Sequence, residues 1–261
     1  MAGRSLLLLC PLAALLIASC GCGGRVDPTM FSQFQRAQEA FDLARHPDDF
    51  LRVAAQYQEI LDTGLISGAV LYNQGNAFMR AGKRGRALAC YRQAVRYRPR
   101  DEQLTENLNS AMGFAGTKTP SKSMVLYILF WQDVVSYPEK ILIDTLAGIL
   151  TFSLALAGMF WRPKLMNRMA IIAFLLAFVF GVSVAYDWYR FDVVSRGVVV
   201  KDGAVARKGN ADSYAPAFTK ALPEGSEFRF LQSRGDWVQI ELPGITGKHK
   251  GWIRMADVVI Y

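Results

Sequence analysis

Two long apolar runs stand out in the hydrophobic pattern of the chain. They cover residues 141–161 and 169–189, and only residues 162–168 separate them. Each run has about 20 residues, which at about 1.5 Å per helical residue is enough to cross a hydrocarbon layer of about 30 Å. The pattern predicts a two-helix transmembrane hairpin. The chain is therefore predicted to be a multidomain membrane protein whose flanking regions lie on the same side of the bilayer.

The N-terminus has the pattern of a bacterial export signal. Arg4 precedes an apolar run over residues 6–17, and small residues precede Cys20. We therefore predict a signal peptide over residues 1–19. Residues 17–20 resemble the lipobox of bacterial lipoproteins, and this resemblance implies that Cys20 is lipidated. An ordinary cleaved signal and an uncleaved anchor remain alternatives.

The charge of the short connection agrees with an exported N-terminus. Arg162, Lys164 and Arg168 place three positive charges in residues 162–168, as expected for a cytoplasmic loop. We predict two spans in the bacterial cytoplasmic (inner) membrane, with both soluble domains on the periplasmic or extracytoplasmic side. Residues 123–137 are too short and too polar to cross, and are predicted to be an interfacial amphipathic segment.

A helical repeat precedes the hairpin. Seven residues between positions 68 and 100 stand at spacings that resemble the tetratricopeptide repeat, so residues 30–116 are predicted to be an all-α domain of this kind. Residues 34–64 match the same repeat spacing weakly and are predicted to be a degenerate repeat. Residues 101–114 are predicted to be a capping helix. The matching residues are Leu71, Gly75, Phe78, Ala87, Tyr91, Ala94 and Pro99.

The repeat resemblance implies a peptide-binding face on the first helix of the repeat. Tetratricopeptide repeats bind peptides with this inner face, where two asparagines of the present chain would contact a peptide backbone. The alternative is that the asparagines stand there for local reasons. The residues implied are Tyr72, Asn73, Asn76, Met79 and Arg80.

The same repeat is strongly basic, because no acidic residue lies between positions 63 and 100. Either these charges form a solvated helix face, or they form a surface for anionic lipid headgroups or an acidic partner. The basic residues are Lys83 and Arg80, Arg84, Arg86, Arg92, Arg96, Arg98 and Arg100.

The C-terminal region, residues 191–261, has short β-rich runs separated by turn residues, and predicts a small all-β barrel. The predicted strands are 198–200, 204–207, 226–232, 237–242 and 251–254, followed by a closing turn at 255–258. The order of these elements, with Gly-Asp-Trp at 235–237 and Gly-Trp-Ile at 251–253, resembles bacterial SH3-like domains. This resemblance implies a ligand groove lined by Tyr214, Trp237 and Trp252, although Trp252 could instead pack the barrel.

The order of all these segments resembles BatE-type proteins of bacterial aerotolerance operons. The residues that carry this resemblance are 72–77 (Tyr-Asn-Gln-Gly-Asn-Ala) and the Phe130-Trp131 pair. It implies an envelope complex with a MoxR-type ATPase and von Willebrand A-type proteins, linked to oxidative-stress tolerance.

The composition of the chain gives little evidence of catalytic or metal-binding chemistry. The net charge of +8 is ordinary for an envelope protein, and the two histidines, His46 and His249, fall in different predicted domains. We expect no enzyme activity, metal, cofactor or nucleic-acid partner. Cys22 and Cys90 could form a redox pair.

The leading functional hypothesis is an outward-facing scaffold that binds membrane or periplasmic proteins and the lipid bilayer. A peptidoglycan-binding sensor that uses the SH3-like domain is the alternative.

Overall fold

The computed structural model describes residues 28–64, 66–114, 130–161, 163–242 and 249–261. These residues form seven α-helices and one five-stranded antiparallel sheet. The helices are α1 (Pro28–Leu43), α2 (Pro47–Asp62), α3 (Gly68–Arg80), α4 (Arg84–Ala94), α5 (Glu102–Phe114), α6 (Tyr137–Phe160) and α7 (Pro163–Trp188).

Some predictions fall wholly or partly outside the described residues. The signal peptide (1–19), Cys20 and Cys22 all precede the first described residue. Most of the interfacial segment 123–137 also lies outside. Its described part contains a 3₁₀ turn at Phe130–Gln132 and the first residue of α6.

Helices α1 to α5 form a layer of antiparallel helices, because short turns connect successive amphipathic segments. The turn before α4 is residues 81–83. A methyl group added at Gly75 of α3 would lie 2.5 Å from Cε1 of Tyr91 in α4. The absence of a side chain at Gly75 therefore lets these two helices pack closely. The first core of this layer joins Ala37, Val53, Ala54, Tyr57, Ile60, Val70 and Ala77.

Helices α6 and α7 form the predicted hairpin, and both are long and apolar enough to span a membrane. Helix α6 begins at a capping box, in which the Glu139 carboxylate accepts the backbone N–H of Ser136 at 2.8 Å. Helix α7 begins at Pro163, so most of the predicted loop 162–168 is helical instead. Proline favours the first turn of a helix, which explains the earlier start.

The sheet is formed by β1 (Arg196–Val199), β2 (Glu227–Arg234), β3 (Trp237–Glu241), β4 (Lys250–Arg254) and β5 (Val258–Ile260). The strand order is β4-β3-β2-β1-β5. Residues 204–207 form no strand, contrary to the prediction, because their bridges go to separate segments at Leu222, Pro216 and Trp252. The predicted closing turn is a 3₁₀ turn at Met255–Asp257 that leads directly into β5.

The helical layer and the sheet pack directly against each other. Val198 of β1 belongs to the same buried core as Leu88 of α4 and Leu104 of α5. A methyl group added at Gly85 would lie 2.5 Å from the carbonyl oxygen of Val199, so glycine allows a close approach here as well. The two regions therefore share one apolar core.

Candidate recognition surfaces and the interface that joins them

The predicted peptide-binding residues lie on α3, between α1 and α5. The side-chain oxygen Oδ1 of Asn76 accepts a hydrogen bond from the Tyr91 hydroxyl at 2.8 Å and another from the side-chain amide of Asn107 at 3.0 Å. The Asn73 amide donates to Gln38 Oε1 at 3.1 Å. Both asparagines therefore make hydrogen bonds within the chain.

The remaining residues of this face are placed differently. The Tyr72 hydroxyl accepts from the Asn107 amide at 3.3 Å, and the Arg98 guanidinium lies 5.2 Å from the Tyr72 ring. Met79 packs against the helical core, whereas Arg80 is exposed. The structure brings all five predicted residues onto one helix, with Arg80 the most accessible of them.

Sequence reasoning missed two residues of this face, Gln38 and Asn107. Gln38 lies 35 residues before its partner Asn73, and Asn107 lies 35 residues after its partner Tyr72. Both intervals are close to the length of one tetratricopeptide repeat, about 34 residues. Comparing polar residues one repeat apart would have found both.

The predicted groove of the sheet region combines tryptophan with arginine. Trp237 of β3 stands opposite Arg234 of β2 and Arg254 of β4, so the three side chains share one face of the sheet. The Arg254 guanidinium lies 5.3 Å from the Trp237 ring, and that of Arg234 lies 5.6 Å from the Trp252 ring. Trp237 is partly exposed, whereas Trp252 is buried.

Tyr214 belongs to a loop that is tied to the same face. Asp212 forms ion pairs with Arg254 of β4 and, at 3.5 Å, with Arg207. Arg207 also donates to the carbonyl oxygen of Tyr214 at 2.9 Å, and the Tyr214 ring is exposed above Gly209. The loop therefore presents one more aromatic ring beside the sheet.

An ion pair and a hydrogen bond connect the helical layer to the sheet region. The Arg92 guanidinium of α4 donates to both carboxylate oxygens of Glu227 in β2, at 2.6 and 2.9 Å. Glu224 accepts the backbone N–H of Gly85 at 2.8 Å. Such bidentate pairs fix geometry as well as contributing energy.

A second set of contacts connects the helical layer to the hairpin. Arg96 donates to both carboxylate oxygens of Asp192, at 3.1 and 2.8 Å, and its guanidinium lies 3.8 Å from the Tyr137 ring. Arg100 forms an ion pair with Glu139 of α6. A solvated face is therefore wrong for Arg92 and Arg96, whose side chains are 25% and 11% exposed. These arginines do have acidic partners, but the partners belong to the same chain.

A buried ion pair joins the two apolar helices. Lys140 Nζ of α6 lies 2.6 Å from Asp187 Oδ2 of α7, and it also donates to the Gln132 side-chain oxygen at 2.6 Å. Sequence reasoning missed this pair. A usable signal was that Lys140 and Asp187 lie about equally far along the sequence from the connection at residues 162–168, at the outer ends of the two predicted spans.

The remaining chemical groups offer little reactivity. Cys90 is a buried free thiol, and burial raises its pKa to about 12. A redox role requires an accessible thiolate, so the environment of Cys90 disfavours the redox hypothesis. Among the described residues, no group of three or more histidine, cysteine, aspartate and glutamate side chains could hold a metal ion.

The chain matches no family model, no curated protein and no solved structure. In class it is a helical protein with two candidate membrane spans and a small antiparallel sheet.

Proposed function

We propose that this chain is a membrane-anchored, outward-facing scaffold for protein–protein interaction. The observation that carries the proposal is the interface between the helical layer and the sheet, with the Arg92–Glu227 pair and a shared apolar core. This interface holds two candidate recognition surfaces in a fixed relation. A first partner bound to one surface would then raise the effective concentration of a second partner at the other.

The helical layer supports the assignment of tetratricopeptide-like repeats. Helices α1 to α4 would form two repeats, and α5 would cap them. The close packing of Gly75 on Tyr91 fits the small residue that such repeats place between paired helices. The amides of Gln38 and Asn107, about one repeat from their partners, fit the inner face of such a domain.

The sheet region supports the assignment of an SH3-like barrel. Its strands are short and antiparallel, and β2 carries an irregularity between Phe230 and Gln232. The bridge between Arg207 and Trp252 brings the first long loop onto β4, at one edge of the sheet. Covering this edge is a step toward a closed barrel.

The two apolar helices support an anchor in the bacterial cytoplasmic membrane. The basic residues near the connection and the export-like N-terminus favour placing both recognition surfaces outside the cytoplasm. In this arrangement the chain would serve an aerotolerance-type envelope complex, with MoxR-type ATPase and von Willebrand A-type partners. The resemblance to BatE-type proteins supports this last step.

Site-specific photo-crosslinking in native cells tests the scaffold. A photoreactive residue replaces Arg80 on the helical surface or Trp237 on the sheet surface, and Lys220 provides an exposed control position. We expect position 80 or 237 to crosslink to membrane or extracytoplasmic proteins that position 220 does not capture. The absence of any specific protein product from both positions would contradict the scaffold.

A peptidoglycan-binding sensor is the second candidate, and the sheet surface favours it. The partly exposed ring of Trp237 and the adjacent guanidinium of Arg254 could contact the sugar faces and peptide carboxylates of cell wall. Sedimentation of the detergent-solubilised full chain with purified sacculi provides the test. Binding that is lost in Trp237→Ala but kept in Trp161→Ala, a change at the end of α6, would support this candidate. The absence of co-sedimentation would exclude it.

A further inference from the structure

A cavity of about 230 Å³ lies where the helical layer, the sheet and the end of α7 meet. Arg92 and Arg96 line it from the helical layer, and Arg196 lines it from β1. Arg190 and Asp192 line it from the π-helical turn Tyr189–Val193, which directly follows α7. The cavity is therefore close to the end of a candidate membrane span.

The charges around this cavity are unbalanced. Of its four lining arginines, Arg92 pairs with Glu227 and Arg96 pairs with Asp192. Arg190 and Arg196 have no acidic partner among the residues that the structure describes, and Arg190 lies near the neutral ring of Phe191 at 5.4 Å. Two positive charges consequently remain for an anion.

The surroundings favour a lipid over a soluble anion. Apolar side chains complete the wall, among them Ile66, Phe191 and Val194. The end of a membrane-spanning helix lies at the depth of the phosphates in a bilayer. A lipid could therefore place its phosphate against the arginines and its glycerol against these apolar groups.

We propose that this cavity binds the phosphate of an anionic phospholipid headgroup, with Arg190 and Arg196 as its charge partners. The lipid would stabilise the junction of the helical layer, the sheet and the hairpin. The proposal rests on the hairpin crossing a membrane, but it requires no protein partner. A failure to bind lipid can therefore be distinguished from a failure of the scaffold.

Lipid titration of the full chain in a neutral detergent tests this site. Dioleoylphosphatidylglycerol, dioleoylphosphatidylcholine and inorganic phosphate are each added, and the thermal unfolding midpoint is followed by tryptophan fluorescence. We expect the anionic lipid to raise the midpoint more than the zwitterionic lipid does, and inorganic phosphate to have little effect. Stabilisation by inorganic phosphate equal to that by the anionic lipid would overturn the assignment to a lipid.

Paired variants test the arginines. Arg190→Gln/Arg196→Gln should bind the anionic lipid at least about tenfold more weakly, because two charge-assisted contacts are lost. Arg190→Lys/Arg196→Lys should keep most of the affinity, which also shows that the junction still folds. Arg36→Gln/Arg52→Gln removes two exposed arginines of the helical layer and should bind like the unmodified chain. Equal affinities in the glutamine pair and this control would overturn the proposal.

Discussion

Replacing Lys140 by methionine should destabilise the hairpin strongly. The Lys140 ammonium lies 2.6 Å from the Asp187 carboxylate, and the two side chains are 1% and 7% exposed. Methionine preserves most of the side-chain length but removes the charge. Asp187 then remains buried without its counterion, and the Gln132 oxygens lose their donor.

The expected cost follows from this burial. Breaking a buried ion pair by removing one partner typically costs about 3–5 kcal/mol, because the remaining charge is uncompensated. Lys140→Met/Asp187→Leu removes both charges, so this double variant should lose much less stability than Lys140→Met, or even gain a little. The double-mutant cycle should therefore give a coupling energy larger than the cost of either single variant.

Unfolding of the purified chain in detergent, followed by circular dichroism, provides the measurement. Lys201→Met is a matched control, because Lys201 pairs with Asp257 at 3.3 Å but is 65% exposed. An exposed pair contributes at most about 1 kcal/mol. The reasoning would be refuted if Lys140→Met cost no more than Lys201→Met. A double variant as unstable as Lys140→Met would refute it equally.

Three further predictions concern the helical layer and the sheet. Gly75→Ala should lower the free energy of unfolding by about 1–3 kcal/mol, because the added methyl group would lie 2.5 Å from the buried Tyr91 ring. Chemical denaturation provides the measurement, and unchanged stability would contradict the close packing. Glu227→Gln should weaken the bidentate contact with Arg92 and so increase amide hydrogen exchange in β1 and β2. Unchanged exchange would show that this pair does not hold the sheet against the helical layer. Cys90 should resist alkylation by iodoacetamide at pH 8 until the chain unfolds, because burial raises its thiol pKa to about 12. Rapid alkylation of Cys90 in the folded chain, detected by peptide mapping, would contradict this prediction.

Local patterns predicted the elements of this fold well. The helical structure of residues 68–94 follows from the spacing of residues such as Gly75, Tyr91 and Pro99, because helical periodicity repeats within a few residues. The two apolar helices followed from length and composition. These features depend on neighbouring residues, so a single sequence contains the information.

Contacts between distant segments could not be predicted in the same way. Arg92 and Glu227 are 135 residues apart, and Lys140 and Asp187 are 47 residues apart. Which charges meet depends on how the helical layer, the sheet and the hairpin pack, and no local pattern encodes that packing. The basic character of residues 63–100 was therefore recognised, but the acidic partners of these arginines within the chain were not.

The sheet shows where local alternation misleads. Ala204 and Ala206 are buried while Val205 is exposed, which is the alternation of a strand. This segment nevertheless forms only isolated bridges, since its partners lie on different segments. Residues 258–260 pair with β1 over a long separation in sequence, so a strand there was missed.

Lysine labelling in intact spheroplasts tests the proposed topology most directly. A membrane-impermeant amine reagent is added before or after lysis, and modified lysines are identified by mass spectrometry. Lys83 of the helical layer and Lys208 of the sheet region are exposed, as is Lys164 near the connection of the two apolar helices. We expect Lys83 and Lys208 to react in intact spheroplasts, and Lys164 to react only after lysis. Labelling of Lys164 before lysis, or protection of Lys83 or Lys208, would contradict a scaffold that presents both surfaces outside the cytoplasm.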